Sequence, residues 1–326
     1  MNPVDAITAN LLSPAVLFFA LGFLASVVKS DLKFPEPLYT ALTIYLLVAI
    51  GFKGGVAISA AGLEAVWLPT LASMLLGALI PLWTWPILRC AGRLSGVDAA
   101  AIAAHCGSVS AVTFIAAMNY LTAIGESFEE YAAAFLAVME SPAILVAVIL
   151  GKMASQRNES DPSSSMKSAA HEALFGRSIV LLVGSLVVGA LSGDAGMTKV
   201  EPFFVTLFQG VLALFLLDMG TVAGRRMEDL RRVGPFLVAF GIVMPVIHGF
   251  LGALVGSWSG LEVGGTTLLA VLAASASYIA APAALRTSLP DANPTLYLTS
   301  SLAITFPFNI ALGIPICYEF ALYTAG

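Results

Sequence analysis

The stretch His105-Cys106-Gly107-Ser108-Val109-Ser110-Ala111-Val112-Thr113 places two serines two positions apart in an apolar, alanine-rich segment. The second half of the chain repeats this Ser-x-Ser triplet in Ser275-Ala276-Ser277-Tyr278-Ile279-Ala280-Ala281-Pro282. Gly107 and Pro282 weaken helical hydrogen bonding, so each segment predicts a helix that is interrupted near its middle. Unpaired backbone groups in hydrocarbon are costly unless they line a cavity within the protein. The two interruptions therefore predict a cavity with a polar occupant.

The composition places both segments in a membrane protein. Of the 326 residues, 59% are hydrophobic and 11% are charged, whereas about a quarter of the residues in soluble domains are charged. A span needs about 20 apolar residues, and this criterion predicts an all-α membrane protein with ten transmembrane helices. The predicted spans are 11–28, 37–58, 66–88, 98–121, 130–152, 177–193, 202–223, 234–256, 264–286 and 296–323.

A polar stretch rich in serine and charge separates the fifth span from the sixth. It predicts three parts: a five-span repeat at 1–152, a linker at 153–176 and a second five-span repeat at 177–326. Because five is odd, the second repeat enters the membrane inverted relative to the first. With both termini outside, every lysine and arginine except Lys53 and Lys199 lies on the inner side, as the positive-inside rule requires. The linker is then cytoplasmic, in a plasma (inner) membrane protein.

The two interruptions predict binding of two opposite charges. The second half of each broken helix presents its N-terminus, which attracts an anion, while the first half presents carbonyl oxygens that suit a hard cation such as Na+. Close helix packing is the alternative explanation for any single serine. The candidate anion-binding residues are Gly107, Ser108, Val109, Ser110, Ala111, Ser277, Tyr278, Ile279 and Ala280. The candidate Na+ ligands at the interruptions are Ser108, Ser110, Thr113, Ser275 and Ser277.

Glu140 is a carboxyl near the middle of the fifth predicted span. An ionised carboxylate there costs about 2.5–3.5 kcal/mol even on lenient insertion scales, so the side chain should face protein. It is a candidate Na+ ligand or proton carrier, with a structural hydrogen bond to a neighbouring helix as the alternative. Thr305 and Asn309, around Pro307 in the tenth span, are the corresponding candidates for Na+.

Two other functional classes fit less well. An intramembrane enzyme needs paired aspartates, a His-Glu-x-x-His motif or a Ser-His pair on adjoining spans, and none of these occurs in the sequence. An anion channel does not predict two symmetry-related interruptions together with a mid-membrane carboxylate. A secondary transporter that works by alternating access is therefore favoured, with no cofactor and no metal other than Na+.

Several motifs in order resemble one known family: Gly107 to Ser110, Met139-Glu140-Ser141-Pro142-Ala143, Ser275 to Pro282, Asp291-Ala292-Asn293-Pro294 and Phe306-Pro307-Phe308-Asn309. Together they resemble the sodium-dependent bicarbonate transporter superfamily over nearly the entire chain. The resemblance implies Na+-coupled bicarbonate uptake, a core domain that slides against a scaffold or gate domain, and a homotrimer. It also implies that broken helices 4 and 9 cross near mid-membrane and hold the substrate and sodium.

The chain departs from the cyanobacterial members of that family at the site. They have an aspartate where this chain has Tyr278, and an aspartate at Glu140. A lost acid changes the local charge, so another small anion or carboxylate, with proton coupling through Glu140, is the alternative substrate class. The linker here is short, which weighs against a cytoplasmic PII-like regulator. The lipid bilayer is the expected surrounding, and no nucleic-acid partner is expected.

Overall fold

A computed structural model describes residues 11–155, 171 and 175–326. Throughout those residues the regular structure is helical, and no strand is present. Residues 1–10 of the predicted first repeat, and 156–170 and 172–174 of the predicted linker, lie outside the described residues.

The helices are numbered here in chain order. They are α1 Pro14–Val27, α2 Glu36–Ala61, α3 Leu63–Cys90, α4 Gly96–Gly107, α5 Ala111–Ile124, α6 Ala133–Ala154, α7 Arg177–Glu201, α8 Phe208–Arg226, α9 Leu230–Trp258, α10 Val263–Ala274, α11 Ala280–Ser288 and α12 Pro294–Ala325. The 3-10 turn Glu130–Ala132 leads into α6, and α12 contains the π-helical segments Ser300–Thr305 and Asn309–Gly313.

Each of the ten predicted spans overlaps one helix or one interrupted pair of helices. By length and composition, seven helical stretches of the described chain are able to cross a membrane, while α1 and α10 are shorter apolar helices. Gly193 in α7 and Gly234 in α9 have φ of 56° and 78° and mark kinks. These kinks lie at the predicted end of the sixth span and the predicted start of the eighth. The protein is thus all-helical and multi-pass.

The packing of α1 on α8 depends on glycine. A Cβ on Gly22 would lie 2.0 Å from the carbonyl oxygen of Leu217, and a Cβ on Gly220 would lie 2.1 Å from that of Phe19. Helices α2 and α7 are packed in the same way, since a Cβ on Gly55 would lie 2.0 Å from the Leu186 carbonyl oxygen. Helices α1, α2, α7 and α8 therefore form one closely packed group, which we call the four-helix group.

The remaining helices form a second group around the two interrupted pairs. Helix α4 packs against α3 and α6, and α10 packs in the corresponding way against α9 and α12. Helix α4 is rich in alanine, α10 combines leucines with glycine, threonine and alanine, and both are almost entirely buried, so neighbouring helices surround them. The interruptions consequently lie deep inside this second group.

Candidate functional site

The first interruption separates α4, which ends at Gly107, from α5, which begins at Ala111. Ser110 is the N-cap residue of α5, and its Oγ accepts hydrogen bonds from the Thr113 backbone N–H (3.2 Å) and from Thr113 Oγ1 (2.9 Å). At Gly107 there is no room for a side chain, because a Cβ would lie 2.7 Å from the Pro81 ring. The local sequence thus ends one helix by close packing and starts the next with a serine cap.

The second interruption separates α10, which ends at Ala274, from α11, which begins at Ala280. Ser277 Oγ accepts a hydrogen bond from the Ala281 backbone N–H at 3.3 Å. Pro282 lies in the first turn of α11, where its missing N–H is not needed. The carbonyl of Ala274, at the end of α10, accepts a hydrogen bond from Asn309 Nδ2 at 2.8 Å.

The two interruptions contact each other directly. The Ser110 backbone N–H donates to Ser275 Oγ at 2.9 Å, and the Ser277 backbone N–H donates to the His105 carbonyl, also at 2.9 Å. Ser275 Oγ in turn donates to the Leu272 carbonyl at 2.8 Å. Each interruption therefore satisfies a buried backbone group of the other, which removes the free-energy cost of leaving that group unpaired.

A small cavity lies where the interruptions meet. From the predicted anion set it is lined by Val109, Ser110, Ala111, Ser277, Tyr278, Ile279 and Ala280. Because the first N–H groups of a helix have no partner within the helix, the start of α5 and the start of α11 give this wall a positive potential. The cavity wall suits an anion.

Two further polar groups face this cavity. Glu140, from α6, is 8% exposed, and its carboxylate forms no hydrogen bond or ion pair with any described residue. The hydroxyl of Tyr278 is buried and lies close to the Ser110 side chain, but it forms no hydrogen bond of good geometry with any described residue. Its ring packs edge-on against Phe306, with centroids 5.2 Å apart. The cavity therefore holds one carboxyl without a partner and one hydroxyl that is only weakly bonded.

The other predicted site residues do not line the cavity. Gly107 packs against Pro81, and Ser275 is hydrogen-bonded to Ser110. The Thr113 hydroxyl donates to Ser110 Oγ. The Thr305 hydroxyl donates to the Gly241 carbonyl at 3.0 Å. Ser108 Oγ and Asn309 Oδ1 are buried and have no partner among the residues that the structure describes. Together with the Glu140 carboxylate, these two oxygens are the predicted Na+ ligands without a partner in the described chain.

Three leucines complete the cavity wall and were missed by sequence reasoning: Leu47 of α2, Leu136 of α6 and Leu182 of α7. A leucine in an apolar span carries no signal that separates a cavity wall from a lipid-facing surface. Leu47 and Leu182 belong to the four-helix group, whereas the polar lining belongs to the second group. The cavity therefore lies between the two helix groups.

The ends of the interrupted pairs are also connected to each other. Glu129, in the loop after α5, accepts a hydrogen bond through Oε1 from the Glu262 backbone N–H at 2.8 Å, just before α10. Asp98, in the first turn of α4, accepts one from the Asn293 backbone N–H at 2.8 Å, just before α12. Burial raises the pKa of Glu129 above its usual value. These contacts fix where α4 and α10 begin.

A comparison with curated proteins gives no match. The sequence profile of the Na+-dependent bicarbonate transporter superfamily matches residues 14–322, which includes both interruptions, Glu140 and Asn309. The chain belongs to the Na+-dependent bicarbonate transporter superfamily.

Proposed function

We propose that this membrane transporter carries bicarbonate into the cytoplasm together with Na+ by alternating access. The observation that carries the proposal is the cavity lined by the N-terminal ends of both α5 and α11 in a chain of this family. Both helix ends favour the same anion, because their partial positive charges point to the same small space.

In this proposal the anion accepts hydrogen bonds from the unpaired N–H groups of α5 and α11 and from the hydroxyl of Tyr278. The position of Tyr278 supports this role, because its buried hydroxyl makes no hydrogen bond of good geometry within the described chain and a bound anion would supply one. Leu47 and Leu182 cover the site from the four-helix group and exclude water.

Na+ binds, in this proposal, beside the anion to the uncommitted oxygens of Ser108 and Asn309 and to the carboxylate of Glu140. Hard cations prefer such oxygen ligands. Ser110 and Ser275 position the backbone instead, because their hydroxyls already take part in the hydrogen bonds of the two interruptions. A cation and an anion bound together lower the cost of moving either charge away from water.

We further propose that the chain crosses the membrane ten times as two inverted repeats, with both termini outside. Three pairs of corresponding contacts support this symmetry. The packing of α1 on α8 corresponds to that of α7 on α2. The hydrogen bond of the Ser110 N–H corresponds to that of the Ser277 N–H, and the bond accepted by Glu129 corresponds to the one accepted by Asp98. The four-helix group is then the gate domain and the second group the moving core. Homotrimeric assembly is carried over from the family resemblance.

A second candidate function is proton-coupled transport of a small anion or carboxylate. Glu140 favours it, because a carboxylate without a basic partner faces a cavity that suits an anion. Protonation of Glu140 would remove the repulsion between these like charges. The two candidates differ in the ion that accompanies the substrate.

The test is uptake of radiolabelled bicarbonate into proteoliposomes with an inward Na+ gradient, a proton gradient or neither. Accumulation above equilibrium that requires the Na+ gradient is expected. Accumulation driven by protons alone would replace the first candidate with the second. Equilibration without accumulation would overturn both, because a channel cannot move its substrate against a gradient.

A further inference from the structure

A cleft of about 730 Å³ opens between the end of α1 and the end of α8, far along the chain from either interruption. It lies about one turn beyond the close contact of Gly22 and Gly220, where Gly224 packs against Ser26. Its wall consists of Ser26, Val27, Lys29, Ser30, Lys33, Gly224, Arg225 and Met227. The predicted topology places this end of both helices on the cytoplasmic side.

The charges that line the cleft are all positive. Lys29, Lys33 and Arg225 contribute to the wall, while Asp31 and Glu36 of the same loop do not. None of the three cations forms an ion pair within the described chain. Arg225 interacts electrostatically with Asp218 at longer range. The Arg225 guanidinium donates to the Leu32 carbonyl at 2.8 Å, which ties the loop to α8. The cleft is therefore a basic pocket with a fixed position.

An apolar surface leads along α1 to this pocket. Leu17, Leu21, Leu24 and Val28 are spaced by three or four residues, so they lie on one face of the helix, and they are 49%, 53%, 57% and 73% exposed. In a membrane this face is in contact with hydrocarbon. The positive-inside rule accounts for basic residues on this side of the membrane. It does not account for a cleft without acids at the end of an exposed apolar face.

We propose that this cleft binds the headgroup of an anionic phospholipid, with the phosphate between Lys29, Lys33 and Arg225 and an acyl chain along the exposed face of α1. Basic pockets between membrane helices on the cytoplasmic side suit such headgroups, and the hydroxyls of Ser26 and Ser30 add donors for the phosphate oxygens. The bound lipid stabilises the contact between α1 and α8. The proposal is independent of which anion and which ion the transporter carries.

The experiment measures thermal unfolding and lipid affinity of the purified full-length protein in detergent. The probes are phosphatidylglycerol, phosphatidylcholine with the same acyl chains, and glycerol phosphate as the headgroup alone. We expect phosphatidylglycerol to bind and to raise the unfolding temperature, with no effect of the other two. The variant Lys29→Gln/Lys33→Gln should bind phosphatidylglycerol about 25-fold more weakly, at about fivefold per lysine. The control Arg93→Gln/Arg177→Gln removes two charges from the same predicted side but not from this cleft.

Every outcome bears on the proposal. Weakening by the lysine pair and not by the control pair supports it, since the lysines are exposed and their replacement leaves the fold intact. Equal weakening by both pairs would show a general surface charge effect and overturn it. Equal stabilisation by glycerol phosphate would show that the cleft binds soluble anions. Cross-linking of α1 to a second copy of the chain would show that its exposed face is an interface between copies. Either result would overturn the lipid site.

Discussion

At the scale of single residues, Ser110 and Ser277 are similar, because each hydroxyl accepts a hydrogen bond from the first turn of the helix that follows its interruption and each residue lines the cavity. We predict that Ser277→Ala abolishes Na+-dependent uptake, while the lost hydrogen bond lowers the free energy of unfolding by only about 1 kcal/mol. Uptake in proteoliposomes and thermal unfolding measure the two effects. The control is Ser73→Ala, at a buried serine outside the cavity that donates only to the Thr70 carbonyl. Normal uptake by Ser277→Ala and by Ser110→Ala would remove both serines from the mechanism.

Glu140 is the one acid on the cavity wall. We predict that Glu140→Gln raises the Na+ concentration for half-maximal uptake about tenfold or more, because a bond to a charged group contributes about 1.5–3 kcal/mol. Uptake measured against Na+ concentration and against pH tests this, with Glu64→Gln at an exposed position as the control. An unchanged Na+ response together with a lost pH response would favour proton coupling. Unchanged Na+ and pH responses would exclude Glu140 from both roles.

At the scale of helices, the contact between α1 and α8 leaves no room for a methyl group at Gly220. We predict that Gly220→Ala forces the helices apart and destabilises the protein by about 1–3 kcal/mol or more. Gly210→Ala, in the same helix, has nothing within 4 Å of the added Cβ, so the gain in helix propensity should make it neutral or stabilising. Thermal unfolding of the two variants compares them directly. Equal unfolding temperatures would contradict the close packing.

Glu129 connects the loop after α5 to the start of α10, and burial raises its pKa above 4.5. Between 4.5 and the raised value the folded protein binds more protons than the unfolded chain, so stability falls as pH rises through this range. We predict that Glu129→Gln loses this part of the pH dependence, because its amide does not titrate. Unfolding temperatures across this range, with Glu64→Gln as the control, provide the measurement. Parallel curves for the wild type and Glu129→Gln would contradict the assignment.

At the scale of the whole molecule, the proposed sliding of the core past the four-helix group must break the contacts between them. One of these is the ion pair between Lys53 of α2 and Glu130 before α6, at 3.3 Å. We predict that Lys53→Cys/Glu130→Cys, in a chain without its native cysteines, loses uptake when the pair is joined by a short cross-linker, and recovers it when the cross-link is reversed.

The control for this experiment lies within one helix group. Asp98→Cys/Asn293→Cys joins two positions of the second group whose backbone and side chain are already in contact. This cross-link should leave uptake intact, because both positions move together. Full uptake by the cross-linked Lys53→Cys/Glu130→Cys protein would rule out relative movement of the two groups at this point.

Local sequence was sufficient to predict the helices and their interruptions. The apolar runs are long, and a glycine or a proline weakens helical hydrogen bonding within one turn, so Gly107 and Pro282 marked the two interruptions without knowledge of their neighbours. Which of the serine hydroxyls form hydrogen bonds could not be predicted. Ser275 accepts a bond from Ser110, which is distant in sequence, whereas Ser108 is left without a partner. Composition around the two triplets does not distinguish these cases.

The sequence by itself determined an all-helical membrane protein, the places where two helices break and the residues at those breaks, because hydrophobic length and the helix-weakening effect of glycine and proline act over a few residues. Only the tertiary structure decided that the two breaks meet, that Glu140 and Tyr278 share their cavity, and that Leu47 and Leu182 close it. It also brought Lys29, Lys33 and Arg225 to one cleft. Those arrangements depend on contacts between helices far apart in the chain, and such contacts leave no periodic signal in either partner.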